Sequence, residues 1–564
     1  MQRLCPTRRL PRLSVYVFLT LAWTATGAAA AVEGYANYET FRKQVDALDA
    51  SDLVSVTVLG KTSQQRDVVL LTIARGKSEN KPAILIVGNV HAPHLVGGEM
   101  VMRLAKHLVD HADDDAVKAM LDRVTLYLVP RPSPDATEAF FAQPSFEREG
   151  NARPTDDDRD FETNEDGPDD LDGNGVITMM RVEDPAGRWM PHPDDPRVLI
   201  EADPKKNEAG KYTLYTEGRD NDEDEAFNED GPGGVSFNRN FTFNYPYFKP
   251  GAGPHQVSEP ETRAVADFAF ARTNIAVVIS FTPEDNLFHP WKPDGNRERQ
   301  RIKTTLMSDD APFQDFIAER YRAIHGGKNA PSSPKGEGSF SEWAYFHYGR
   351  WSFAARGWWV PAEEEKKRSD EKRGKDDINA LRWLEANKID GFVEWKAIEH
   401  PDFKGRKVEV GGFKPYVLLN PPVKELDVLT ENHAAWLGEV AGLLPKIQIS
   451  EAKVESLGGS DEPNGPGVYR VTVTVINHGY LPTMSEMGRI SRQLNPLQLA
   501  IELPEGASLV QGAPRTQLDV IKGKGGTAEH VYLVKAAKGL SAKLKVWSPS
   551  VGEYETTITL KEGE

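Results

Sequence analysis

The sequence predicts an α/β domain, with a mixed sheet covered by helices on both faces, followed by an all-β module of immunoglobulin-like sandwich type. Two observations carry this. Wholly apolar strands alternate with helical apolar spacing over the first four-fifths of the chain, and after Pro445 the pattern changes to short alternating runs separated by turn residues.

The first thirty-one residues read as a cleaved export leader. Arg3, Arg8, Arg9 and Arg12 precede an apolar run from Val15 to Trp23, which is too short to span a bilayer, and the small-residue tract Gly27 to Ala31 follows. Export to the periplasm or the extracellular space is therefore expected. The only cysteine, Cys5, lies in the leader, which excludes disulfides, thiolate metal ligands and a cysteine nucleophile from the mature chain. No later run approaches the length of a membrane span. A net charge of −17 over 564 residues argues against nucleic acid as a partner, because phosphate binding needs clustered Lys and Arg.

The α/β domain is expected over 35–444. Runs at Val54 to Leu59 and Val68 to Ile73 precede the apolar strand Ala83 to Val87, and a helix follows with Met100, Val101, Leu104, Leu108 and Val109 on one face. Val124 to Val129 and Ile275 to Phe281 read as further buried strands, with helices at about Glu259 to Arg272, Pro312 to Ile324 and Leu429 to Leu444. Residues 144–235 interrupt this rhythm with a stretch rich in Asp, Asn, Gly and Glu, which reads as an insertion. The charged run Ala362 to Asp377 reads as a solvated excursion. Residues 446–564 supply the β module, with strands including Val468 to Ile476, Leu497 to Leu503 and Ala542 to Trp547.

Five local sequences stand in one order. The strand ending at Val87 runs into Gly88-Asn89-Val90-His91-Ala92-Pro93-His94. The strand ending at Val129 runs into Pro130-Arg131-Pro132-Ser133-Pro134-Asp135. Then come Ser236-Phe237-Asn238-Arg239-Asn240-Phe241, Ser258-Glu259-Pro260-Glu261-Thr262 and Gly338-Ser339-Phe340-Ser341-Glu342-Trp343. Together they resemble the zinc carboxypeptidase family of carboxypeptidase A type, and an ordered set is far more specific than any one member.

The resemblance implies a zinc held by three protein ligands, with a carboxylate beside the metal-bound water to take its proton. It also implies peptides with a free C-terminus, or peptidoglycan stem peptides, as ligands, and a carboxylate seat at Asn238 and Arg239. His91 stands at the first ligand position, and His94 replaces the Glu of the second. The third position is Phe281, with Glu284, Asp285 and His289 as neighbouring donors, and the general-base position is Arg356. A phenyl ring cannot ligate and a guanidinium cannot accept a proton from water. Two readings follow: a carboxylate-binding member with Arg239 and Arg356 as a clamp, or a hydrolase with a rearranged metal set.

Within the insertion, Asp170-Leu171-Asp172-Gly173-Asn174-Gly175-Val176-Ile177-Thr178 follows the first nine positions of an EF-hand calcium loop, but the twelfth position is Arg181. A second alternation places Asp220, Asp222 and Asp224 together. Asp170, Asp172, Asn174, Asp220, Asp222 and Asp224 are thus candidate calcium ligands.

Overall fold

The computed structural model describes residues 34–156, 163–164, 166–221, 228, 233–362, 372–458 and 466–561. The stretch expected to be an export leader, Asp222 and Asp224 lie outside the described residues. Among the described residues, no helix is long and apolar enough to cross a membrane.

Six strands form the central mixed sheet, in the order Val54–Lys61, Asp67–Ile73, Thr125–Val129, Ala83–Val87, Ile275–Phe281 and Trp351–Ala355. The last four run parallel to one another, and the first two are antiparallel additions at one edge. Register aligns Val87 with Val129 and Phe281 with Ala355, so the parallel strands finish together along one rim. Ligand-binding loops of α/β sheets gather at such a rim.

The apolar strands are apolar throughout because both faces are covered. Ile84, Ile86, Ile279 and Phe281 pack in one cluster with Leu104 of helix Leu95–Asp110, Tyr321 of helix Ala311–His325 and Trp436 of helix Leu426–Leu443. Leu85, Val87 and Val278 pack in the other, with Val265 of helix Pro260–Ala271 and Trp343 of helix Phe340–Phe346. Alternate residues along each strand feed opposite clusters, as the period of two requires.

The acidic insertion is more ordered than its composition suggests. It contributes strands Met179–Glu183, Trp189–Pro191, Leu199–Glu201 and Tyr212–Thr216 to a second six-stranded sheet, completed by Phe392–Ile398 and Val408–Phe413. Arg181 belongs to this sheet. It is 8% exposed, bonds Glu409 at 2.9 Å and lies over the rings of Tyr212 and Trp395. An Arg therefore stands where a calcium loop would carry its last ligand, because that position is a buried strand.

Beyond 446 the chain is all β, with two four-stranded sheets. One orders Ile447–Gly458, Gly467–Asn477, Gly526–Ala536 and Ser508–Gln511, and the other Arg515–Gln517, Gln498–Glu502, Ser541–Ser548 and Gly552–Thr559. Val471, Val473, Leu499, Leu544 and Val546 share a single apolar cluster. A short helix, Glu486–Ser491, leaves these sheets and seats Met487 in the second cluster of the α/β part.

Candidate functional site

The loop after Ala83–Val87 is folded by its own Asn89, which adopts a left-handed conformation (φ 45°). Its Nδ2 donates to the carbonyl oxygens of Ala92 at 2.8 Å, His94 at 3.1 Å and His91 at 3.2 Å. Gly88 has no room for a side chain, since a Cβ would lie 2.5 Å from the carbonyl oxygen of Gly97. This knot delivers His91 and His94 to the rim.

His94 caps the start of helix Leu95–Asp110 and is 1% exposed. Its Nε2 lies 2.8 Å from the carbonyl oxygen of Arg356, so Nε2 carries the proton and donates. Nδ1 is buried with no partner and packs over Gly97, where an added Cβ would sit 3.1 Å away. Burial, reinforced by His91 and Arg356, pushes the pKa of His94 down to about 3. His91 is partly open to solvent and faces Glu149, with Nδ1 3.7 Å from Oε1.

Phe281 is 1% exposed at the end of its strand, its edge against the ring of His433 with centroids 5.1 Å apart. The donors near it in sequence are engaged elsewhere. Glu284 accepts from Asn238 Nδ2 at 2.8 Å and from Thr282 Oγ1. Asp285 accepts from the backbone of Leu287, Phe288 and Arg356. His289 bonds the carbonyl oxygen of Pro331.

These residues do not fit the zinc that the sequence resemblance implies. The bond from His94 Nε2 to a peptide carbonyl leaves Nδ1 free to ligate, but the third expected position is a phenyl ring. Among the described residues, no acid or histidine joins His91 and His94 to make three ligand atoms at metal spacing. The base position is likewise occupied by Arg356, whose Nη2 donates to the carbonyl oxygens of Pro283 at 2.9 Å and Ser332 at 3.1 Å.

The expected carboxylate seat is built around Asn238 and Arg239. Asn238 donates to Glu284 and accepts the backbone N–H of Phe340 at 3.0 Å, which fixes it against helix Phe340–Phe346. Arg239 has a buried Nε without a partner, and Ser236, 2% exposed, has an unpartnered hydroxyl. Both face Gly251, whose φ of 73° and missing Cβ leave the wall open beside them. They line a cleft of about 280 Å³ whose other side carries Glu147, Arg148 and Glu149. Arg356 does not line this cleft, so the two expected guanidinium anchors lie apart, one facing the cleft and one bonded to backbone.

Glu342, in the first turn of helix Phe340–Phe346, went unsingled in the sequence. Burial, with Glu284 and Glu337 nearby, raises its pKa to about 8.

In the insertion, Asp170 accepts from the backbone of Asn174 at 3.0 Å and Gly175 at 2.8 Å. Asn174 Oδ1 accepts from Val176 N, and Gly173 and Gly175 supply the left-handed turns. Glu217, absent from the sequence reading, is fully buried and accepts from Leu171 N at 2.8 Å and Thr178 N at 2.9 Å. Its carboxylate stands with those of Asp170 and Asp172, their ligand atoms all within 4.8 Å, a group that could hold a metal ion. Asp220 is not in this group, and its N–H points to Asp402 at 3.4 Å.

A sequence model of the zinc carboxypeptidase family matches residues 42–175 and 205–359, and one described as a domain of unknown function (DUF8731) matches 446–559. A zinc carboxypeptidase of Saccharothrix mutabilis subsp. capreolus is 31% identical over 121 residues, 20% of this chain and 28% of that protein. Carboxypeptidase A4 of Mus musculus is 29% identical over 90 residues, 16% of this chain and 21% of that one. The chain thus spans less than a third of the length of these two relatives. Among solved structures, a metallo-carboxypeptidase from Burkholderia cenocepacia aligns at 15% identity and TM-score 0.31, covering 56% of this chain and 58% of its own.

Proposed function

The chain belongs to the zinc carboxypeptidase family, and from that premise we propose that it is an exported member that binds peptides by a free C-terminal carboxylate without cleaving them through zinc. One observation carries the reading: Arg239 and Ser236 line a cleft, with Arg239 Nε and Ser236 Oγ buried and unpaired, while Phe281 and Arg356 stand where a zinc ligand and a general base are expected. Buried donors without partners cost stability unless a ligand satisfies them, so their retention supports a bound acceptor. The occupants we favour are peptide C-termini and peptidoglycan stem peptides. The two C-terminal sheets are read as an immunoglobulin-like sandwich.

The test is calorimetric titration of two peptides that differ only in a free or an amidated C-terminus. Binding of the acid alone, lost in Arg239→Ala, supports the reading, and equal binding of acid and amide overturns it. Zinc analysis of the wild type and His91→Ala decides the rival hydrolase reading, which requires about one zinc per chain lost on mutation.

We propose calcium for the second site, a reading favoured by Glu217. Asp170, Asp172, Asn174 and Glu217 offer hard oxygen donors, and Glu217 stands in for the carboxylate that Arg181 displaces. Such an ion would offset most of the charge of the three carboxylates and tie the insertion's loop to the end of strand Tyr212–Thr216.

A further inference from the structure

The helix Glu486–Ser491 leaves the C-terminal sheets and is bonded to the α/β part by a buried carboxylate. Asp310, 1% exposed, accepts the backbone N–H of Glu486 at 2.8 Å and of Met487 at 3.1 Å. The same carboxylate accepts the hydroxyl of Tyr345 at 2.7 Å, and that hydroxyl accepts the N–H of Met307 at 3.1 Å. Ser485 Oγ donates to the carbonyl oxygen of Gly349 at 3.3 Å, and Arg350, 2% exposed, donates to that of Gln493 at 3.2 Å.

The backbones touch here because both sides lack side chains. A Cβ on Gly488 would lie 2.7 Å from the carbonyl oxygen of Gly349, and one on Gly349 would lie 3.1 Å from Gly488 Cα. Met487 fills the cluster that also holds Phe340, Trp343 and Tyr345. This is a buried, hydrogen-bonded contact of core quality, unlike the polar contacts common between domains that move.

Tyr345 and Phe340 belong to one helix of seven residues, Phe340–Phe346. Its far end donates from Phe340 N to Asn238 Oδ1, and its first turn carries Glu342. One rigid element therefore has the C-terminal module on one end and the wall beside the carboxylate seat on the other.

We infer that the C-terminal module serves as an intramolecular buttress: segment 485–493, locked through Asp310, fixes helix Phe340–Phe346 and through it the position of Asn238. This gives residues 446–559 a function in shaping the site, and it holds whatever ligand the cleft takes. A helix of this length is marginal alone and needs tertiary support, which the lock supplies.

The experiment uses the full chain. Differential scanning calorimetry of the wild type should give one cooperative transition, and Asp310→Ala should split it in two. Two separate transitions in the wild type, or one in the variant at an unchanged temperature, would overturn the buttress. If Asp310→Ala fails to fold, Tyr345→Phe removes only the hydroxyl, and hydrogen exchange is read by mass spectrometry. Loss of one buried hydrogen bond predicts exchange about 5-fold faster in 340–346 and 236–241 as well as in 485–491. Faster exchange confined to 485–491 would break the link to the site.

Discussion

The imidazole of His94 donates through Nε2 to the carbonyl oxygen of Arg356 across 2.8 Å, joining the second metal-ligand position of the family to the residue at its general-base position. The bond leaves His94 Nδ1 free, but the third expected ligand position is Phe281. Arg356 takes part with its backbone, and its side chain is bonded to Pro283 and Ser332. We therefore expect the purified chain, after dialysis against micromolar zinc, to retain no stoichiometric metal that His91→Ala removes. Elemental analysis checks this.

Burial of the same imidazole predicts an acid-sensitive fold, with the bond to Arg356 acting in the opposite sense. His94 and His433 are both buried, with pKa pushed down to about 3 by desolvation. The unfolded chain takes up protons at these positions below about pH 6.5 while the folded chain does not, so their stability is complete above that pH and falls as pH drops towards 3. Each contributes a slope of up to about 1.4 kcal/mol per pH unit in that window. Urea unfolding at pH 7.5, 6 and 5 should show a shallower acid slope in His433→Gln than in the wild type. Parallel slopes would mean that His433 does not stay neutral.

Arg239 is the second point of test. Removing a guanidinium that bonds a carboxylate costs about 2–3 kcal/mol, so Arg239→Ala should weaken an acid-terminated peptide by about 30-fold or more. Arg239→Lys keeps the charge but loses the planar fork and should recover only part of it. Complete recovery by Lys would point to general charge attraction rather than a seat.

Much of this was open to reading in the sequence. The apolar strands Ala83–Val87 and Ile275–Phe281 and the placement of His91 and His94 after a strand follow from patterns within a few residues. What escaped depends on distant partners. The strands Met179–Glu183 and Tyr212–Thr216 are short and lie in an acid-rich stretch; they pair with each other, and Met179–Glu183 pairs on its other side with Val408–Phe413, over two hundred residues on. Glu217, just after strand Tyr212–Thr216, meets Asp170 from a distant part of the insertion, and Glu342 becomes unusual only once it is buried, with Glu284 and Glu337 beside it. The Phe270 ring, 45% exposed beside Trp343 and Tyr348, belongs to a helix face whose exposure nothing in its spacing announced.

Glu342 offers a prediction of opposite sign to the histidines. Its folded pKa of about 8 lies above its value in an unfolded chain, so it favours the fold while protonated and that contribution is lost as pH rises towards 8. Glu342→Gln removes the titration. The variant should gain stability over the wild type progressively between about pH 4.5 and 8, measured as the difference in urea midpoint. A constant difference across that range would show that Glu342 ionises normally.

The last prediction concerns Asp170, Asp172 and Glu217. Three carboxylates within 4.8 Å repel one another, and Glu217 is raised by its burial first and by Asp172 among the lesser causes. A divalent cation relieves both, and an ion bound only by the folded chain stabilises it by about 2.7 kcal/mol at a hundredfold excess over Kd. Millimolar calcium should therefore raise the unfolding temperature, and a chelator should lower it to the value of Glu217→Gln, which should no longer respond. Magnesium should act weakly, since it demands closer octahedral geometry and gives up water reluctantly. If wild type and Glu217→Gln respond alike to calcium, the ion acts elsewhere on this acidic chain. If neither responds, Lys396, 3.7 Å from Asp172, is the cation that the loop relies on.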